Sequence, residues 1–319
     1  LLSGSRDPGL FREVSHAGPG LSFRPSLAWR YARPVPPGPG ARRTIFVSTV
    51  SVLAGSGVAL AGSLVVRVLM ARALSPGDLG LVLLGIAVVT PVGAIAGLGT
   101  NAAVAQRLAE CRSRGLEESA RSIARRALLL AAATGAVAAL LLALTAGPLA
   151  LVLGQPGIDR VLLPLAPVAL GLAAGSAALG VSRGFNDSLG RAVVRDAGGG
   201  LLRVVGVGAA ALAADPTSPG IAAGFAAGSL LAEALFVGYA VAKGWVRRTA
   251  GAPREPLLSS LRPYAATEAL TQATLWLDVV VLGALAPAAV VGLYGVARGL
   301  TRVLDLVRQA SSHGYLPAA

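Results

Sequence analysis

Cysteine, histidine and lysine are almost missing from this chain. Cys111 is alone, which excludes a disulfide framework or a cysteine cluster. His16 and His313 are the only histidines, so no metal site is expected. Lys243 is the only lysine, and that bias reads as coding composition, not function. Charge is scarce as well. Only 13% of the 319 residues are Asp, Glu, Lys or Arg, about half of the roughly 25% usual in soluble domains. No nucleophile–base pair, paired-carboxylate motif or phosphate-binding loop is legible, which argues against an enzyme.

What the chain has instead is apolar sequence. It is 54% hydrophobic, its mean hydropathy is +0.69, and the apolar residues come in blocks long enough to cross a hydrocarbon core of roughly 30 Å. The blocks cover residues 45–66, 79–105, 127–146, 161–181, 197–214, 221–242 and 264–285, with a more polar eighth from residue 290. A soluble protein of this size cannot hide so many uncharged helices. The expected fold is an all-α polytopic membrane protein with about eight transmembrane helices.

Residues 1–43 are rich in Pro, Gly, Ser and Arg, lack an apolar period, and read as a disordered cytoplasmic tail or an artefact of the assigned start. They hold no secretory apolar region. "ARRTIFV", residues 41–47, suggests a twin-arginine export signal, but no small-residue cleavage site ends the run and further spans follow. Arg42 and Arg43 read better as anchors of the first helix. The first residue is Leu and the last are "GYLPAA", so the sequence reads as a fragment or as one with a miscalled start.

The net charge is +13. Such an excess can signal nucleic-acid binding, yet here the arginines cluster in short segments between apolar blocks, and no nucleic-acid partner is expected. They fall in the tail, between blocks two and three (Arg107 to Arg126), four and five (Arg183, Arg191, Arg195), and six and seven (Lys243 to Arg262). The alternate loops hold at most Arg67, Arg72 and Arg160. Positive loops stay cytoplasmic, so the N-terminus is expected inside.

One turn recurs. Ala73-Leu74-Ser75-Pro76 lines up with Ala284-Leu285-Ala286-Pro287, and Leu79-Gly80-Leu81 with Val290-Gly292-Leu293 after one inserted residue. Six spans separate equivalent positions, so both turns face the same side. That parity predicts two lobes related by an axis along the membrane normal. The division expected is a first lobe at 44–248, a linker at 249–263 and the start of a second lobe at 264–319.

Other motifs concern packing. "GLGTNA", residues 97–102, fits Gly-x-Gly-x-x-Ala, but no strand precedes it, and close packing or a helix end is the better account. "GIAAGFAAG" puts Gly220, Gly224 and Gly228 on one face, where helices can approach closely. Pro91 interrupts the second block and is expected to kink it. "AECRSRGLEESARSIARR", residues 109–126, reads as a basic membrane-surface helix.

Ionisable groups inside apolar blocks are the candidate site, because a charge at the bilayer centre costs roughly 2.5–3.5 kcal/mol and so faces a bundle interior or wet cavity. They are Arg203, Glu233, Glu268 and Asp278, with Arg298, Arg302, Asp305 and Arg308 in the eighth block. Tyr294, Arg298 and Arg302 share one helical stripe. That stripe could stack on a sugar and pair with a phosphate. Alternatively, Asp278 pairs with Arg298 or Arg302 and merely fixes helix seven to helix eight. Arg203 could simply snorkel to the interface.

The stretch "VLMARALSPGDLGLVLLGIAVVTPVGAIAGLGTNAAVAQRLAE", residues 68–110, resembles the first external turn and second helix of the oligosaccharide flippases, in the multidrug/oligosaccharidyl-lipid/polysaccharide (MOP) exporter superfamily. "LWLDVVVLGALAPAAVVGLYGVARGL", residues 275–300, resembles their seventh helix, external turn and eighth helix. Asp278 and the segment from Tyr294 to Arg298 fall on recurrent family positions. The resemblance covers about residues 44–319. It implies a MATE-like six-helix lobe plus the first two helices of a second, in a chain that flips polyprenyl-linked oligosaccharide by alternating access in the plasma membrane. It further implies no cofactor, possible coupling to an H+ or Na+ gradient, and membrane lipid and other polysaccharide-assembly proteins as partners. A cation-coupled drug or metabolite exporter relying on Glu233, Glu268 or Asp278, and a non-transporting remnant, are the alternatives.

Overall fold

A computed structural model describes residues 39–213, 216–247, 257–299 and 301. The chain divides into two compact units, Leu1–Thr44 and Ile45–Ala319, and the second carries the helical bundle. Residues 1–38 of the expected tail, residues 249–256 of the expected linker, and Arg302, Asp305 and Arg308 lie outside the described residues.

Every element among the described residues is helical. In chain order they are α1 (Pro39–Ala73), α2 (Pro76–Ala96), α3 (Thr100–Ser113), α4 (Glu117–Leu144), α5 (Ala146–Val152), α6 (Ile158–Leu165), α7 (Val168–Gly184) and the single turn α8 (Ser188–Gly190). A π-helical segment, Arg191–Gly198, runs into α9 (Gly199–Ala211), followed by α10 (Ser218–Ala242) and α11 (Leu257–Leu285). The last is α12 (Ala288–Gly299). Six stretches are long and apolar enough to cross a membrane: Val50–Ala73, Pro76–Ser113, Glu117–Leu144, Ile158–Gly184, Ser218–Ala242 and Leu261–Leu285. With the shorter α9 and α12 they give the expected six-helix lobe followed by two helices. Helix α11 begins at Leu257, ahead of the apolar block that starts at 264, because Ser259, Ser260, Arg262 and Pro263 interrupt the leucines of its first two turns and a hydropathy reading passes over them.

The repeated turns are built differently and meet. Ser75 caps α2, its hydroxyl accepting from the Asp78 amide at 3.2 Å, and Pro76 opens the helix where no N–H is needed. Ala286 takes the place of Ser75 and offers no such cap. Gly80 and Gly292 then bring α2 and α12 together backbone to backbone. A Cβ on Gly80 would collide with the Ala288 carbonyl, and one on Gly292 would lie 2.9 Å from the Pro76 oxygen. On the same side of the molecule, the Gln155 carboxamide donates to the Gly283 (2.9 Å) and Ala286 (2.8 Å) carbonyls. It thereby satisfies orphan acceptors at the end of α11.

Lipid tails are as apolar as leucine, so helix association in a membrane rests on close fit. Gly224 and Gly206 supply it between α10 and α9, each leaving room for the other's carbonyl, and Gly228 lies against the Leu202 carbonyl. Gly220, the third member of that pattern, meets only its own cap residue Thr217. The "GLGTNA" segment is a helix break. Leu98 (φ 53°) and Gly99 (φ 67°) both adopt left-handed conformations, and a Cβ on Gly99 would run into the Tyr264 backbone of α11. Met70, Leu84, Leu162, Leu165 and Ile221 are fully buried in the core, whereas Leu140, Leu144, Val205 and Leu270 stay exposed on the outside.

The basic connector is not a separate surface helix. Helices α3 and α4 continue through it and reverse at Gly115 (φ 73°). The charges are paired locally: Arg114 with Glu110 at 2.7 Å and Arg112 with Glu117 at 3.5 Å. Arg112 also donates to the Gly184 carbonyl at 3.0 Å. These partners, together with good helix formers on either side of the glycine, let the helices outrun their apolar stretches.

Candidate functional site

A cavity of about 200 Å³ lies among α1, α2, α7, α9, α10 and α11. Its polar lining is Ser63, Arg67, Thr90, Arg203, Ser229 and Glu233, with Trp276 from α11 on one side. Arg203 therefore faces the bundle interior and does not snorkel to the interface.

Glu233 is the most enclosed of these groups, 4% exposed. The sequence makes its place on two sides. On α7, Gly171 and Gly175 leave a bare strip of backbone, and a Cβ on Gly175 would fall on the Glu233 carboxylate. Across from it, the π-helical segment aims Arg195 so that its Nε stands 3.5 Å from Glu233 Oε2. The guanidinium also lies over the Phe236 ring at 5.8 Å. The charges are matched, yet neither Arg195 Nε nor Glu233 Oε2 has a hydrogen-bond partner among the described residues. One turn earlier on α10 the buried Ser229 hydroxyl is likewise without one. Arg203 folds back over Gly199, where a Cβ would lie 3.6 Å from its Nη2. Arg191 and Asp196 form a further pair at 3.4 Å at the start of the same segment.

A second cluster borders the first. Asp278 of α11 accepts from the Tyr294 hydroxyl of α12 at 2.6 Å and pairs with Arg298 at 3.4 Å. The Arg298 guanidinium covers the Trp276 ring at 5.2 Å. Of the two readings of this stripe, the interhelical tie is the arrangement seen. Glu268 stands apart from the cavity lining and accepts from Gln272 at 2.7 Å.

The structure thus brings Arg203 and Glu233 together, joins Asp278, Tyr294 and Arg298 in a neighbouring tie, and leaves Glu268 outside both. It adds Arg67 and Arg195, which hydropathy alone assigns to loops. Arg67 lies within α1, which runs on to Ala73. A usable signal is present in the sequence: Arg195, Gly199 and Arg203 recur four apart, and Gly171 and Gly175, which meet Glu233, are also four apart. His, Cys, Asp and Glu form no metal-binding group among the described residues.

The fold is shared with solved transporters of the MOP superfamily. One similar structure is a MOP superfamily transporter from Pyrococcus furiosus, whose binding pocket of reversed polarity was taken to suggest a different function. It is 18% identical, with a TM-score of 0.60 over 86% of this chain and 68% of that one. An inward-facing multidrug resistance MATE family transporter is 16% identical, with a TM-score of 0.60 over 85% of this chain and 62% of that one. A MATE transporter in complex with MaD3S is 19% identical, with a TM-score of 0.64 over 86% of this chain and 69% of that one. At these identities the likeness is one of fold. No curated protein sequence matches. The chain itself belongs to the polysaccharide biosynthesis protein family, whose model matches residues 42–311.

Proposed function

We propose that this multi-pass membrane protein moves polyprenyl-linked oligosaccharide precursors across the plasma membrane by alternating access, with its cavity holding the phosphate end. The observation that carries this reading is Arg67 and Arg203 facing one interior cavity with a single acid, Glu233. Guanidinium groups match phosphate oxygens with forked, charge-assisted hydrogen bonds. In a low-dielectric interior such groups are retained where a ligand or partner needs them. The family supports a polysaccharide precursor as cargo and membrane lipid as surroundings. The basic loops support a cytoplasmic N-terminus, with the turns at Pro76 and Pro287 outside. Other polysaccharide-assembly proteins would supply and receive the cargo.

The test is complementation of a flippase-deficient strain by the full chain. The double variant R67Q/R203Q, present in the membrane at the same level, loses complementation; undiminished activity overturns the reading. The buried Glu233 carboxylate favours one further element, coupling of transport to an H+ or Na+ gradient. Transport insensitive to collapse of both gradients removes it.

A further inference from the structure

We infer that Glu233 is an internal stand-in for the ligand's phosphate: a counterion that occupies the arginine site in the ligand-free protein and is displaced when an anionic headgroup binds. This deepens the proposed function and rests on it.

The geometry points there in three ways. First, the carboxylate is held by shape on one side only. Gly171 and Gly175 of α7 make its slot, and its open side faces the cavity that Arg203 also lines. Second, its bond to the protein is incomplete. Arg195 offers charge at 3.5 Å, but Oε2 and Nε both lack a hydrogen bond among the described residues. A buried ion pair repays its desolvation only when hydrogen bonds complete it. This pair is compensated enough to fold and loose enough to part. Third, the surroundings hold what a phosphate needs and a single carboxylate does not use. Ser229, 5% exposed and one turn from Glu233, lines the cavity with a hydroxyl that has no partner among the described residues. Between Arg195 and Arg203 stands Gly199, which has no side chain to block an anion passing from one guanidinium to the other. Phosphate, with more acceptor oxygens than a carboxylate, can engage both arginines and the hydroxyl together.

An internal competitor weakens binding of the ligand it mimics. Removing its charge should therefore tighten binding, the reverse of what losing a binding group does. The probe is inorganic pyrophosphate, titrated calorimetrically into the purified full chain in nanodiscs. E233Q is expected to bind about tenfold more tightly than the unmodified chain, equivalent to about 1.4 kcal/mol. Adding S229A to E233Q should return part of that gain. R203Q should weaken binding.

Unchanged or weaker binding by E233Q, with R203Q still weakening it, overturns the stand-in role and leaves the phosphate site intact. Transport lost in E233Q without tighter pyrophosphate binding identifies a proton-carrying or structural carboxylate instead. No binding by either the unmodified chain or E233Q, and no effect of R203Q, brings down the phosphate reading and this inference with it. Should E233Q fail to fold, E233D keeps the charge but draws the carboxylate back from Arg195, and a smaller gain in the same direction is expected.

Discussion

Two ion clusters among the described residues each pair a carboxylate with an arginine that lies over an aromatic ring, and they are finished to different degrees. At the tie between α11 and α12, Asp278 is 40% exposed, yet it has a 2.6 Å hydrogen bond from Tyr294 as well as Arg298. At the cavity, the Glu233 side chain is 5% exposed and has a charge opposite it but no hydrogen bond on Oε2. Burial raises the cost of an unmet polar group, so the better satisfied cluster should have been the buried one. On the proposed function, the inversion separates a strut from a site. A group that serves only to hold helices together is completed by its neighbours, whereas a group kept for a ligand is left with capacity to spare.

That contrast can be broken at either end. The largest effect is expected from R195L, which strips the buried carboxylate of its nearest countercharge. Removing one partner of a buried pair costs about 3–5 kcal/mol, and with Arg203 still within reach the lower end is expected in thermal unfolding of the solubilised protein. An unchanged melting curve would mean that Glu233 does not depend on Arg195. Next comes G175A, whose methyl falls on the carboxylate. Overpacking costs about 1–3 kcal/mol, and combining it with E233A, which clears the space, should recover most of the loss. The smallest effect is expected from D278N. The carboxamide oxygen of that variant can still accept from the Tyr294 hydroxyl, so both stability and complementation should stay close to those of the unmodified chain. Loss of transport in D278N at full membrane abundance would move the site to the second cluster and undo the comparison.

Much of the architecture is legible because a bilayer imposes length and apolarity on every span, and both can be read residue by residue. The repeated turn is legible because proline and glycine mark it, and Gly80 and Gly292 prove to be where its two copies touch. Half of the cavity is legible for the same reason: Arg203 and Glu233 interrupt apolar runs. Arg67 and Arg195 are not, because hydropathy ends a span at its first charge while the backbone winds on. Arg195 can stay inside the fold only because Glu233, distant in sequence, answers it, and no local window contains both. The basic hairpin at Gly115 looks like a surface helix for a related reason: pairing partners such as Arg112 and the Gly184 carbonyl are set by the tertiary fold.

The π-helical segment Arg191–Gly198 has one more consequence. An α-helix turns about 100° per residue, and a π segment is an α-helix carrying surplus length wound into a wider turn. Its value here is angular phase. Deleting a single residue of regular helix between Gly199 and Arg203, with the π segment kept, would swing Arg191 and Arg195 about 100° around the axis relative to Arg203. Every side chain that matters would be retained, yet Arg195 would no longer look at Glu233. The site is therefore encoded in a count of residues as much as in their identities. Variants of this protein that keep every arginine but change the residue count of the regular helix at 199–203 should behave as though the arginines had been removed.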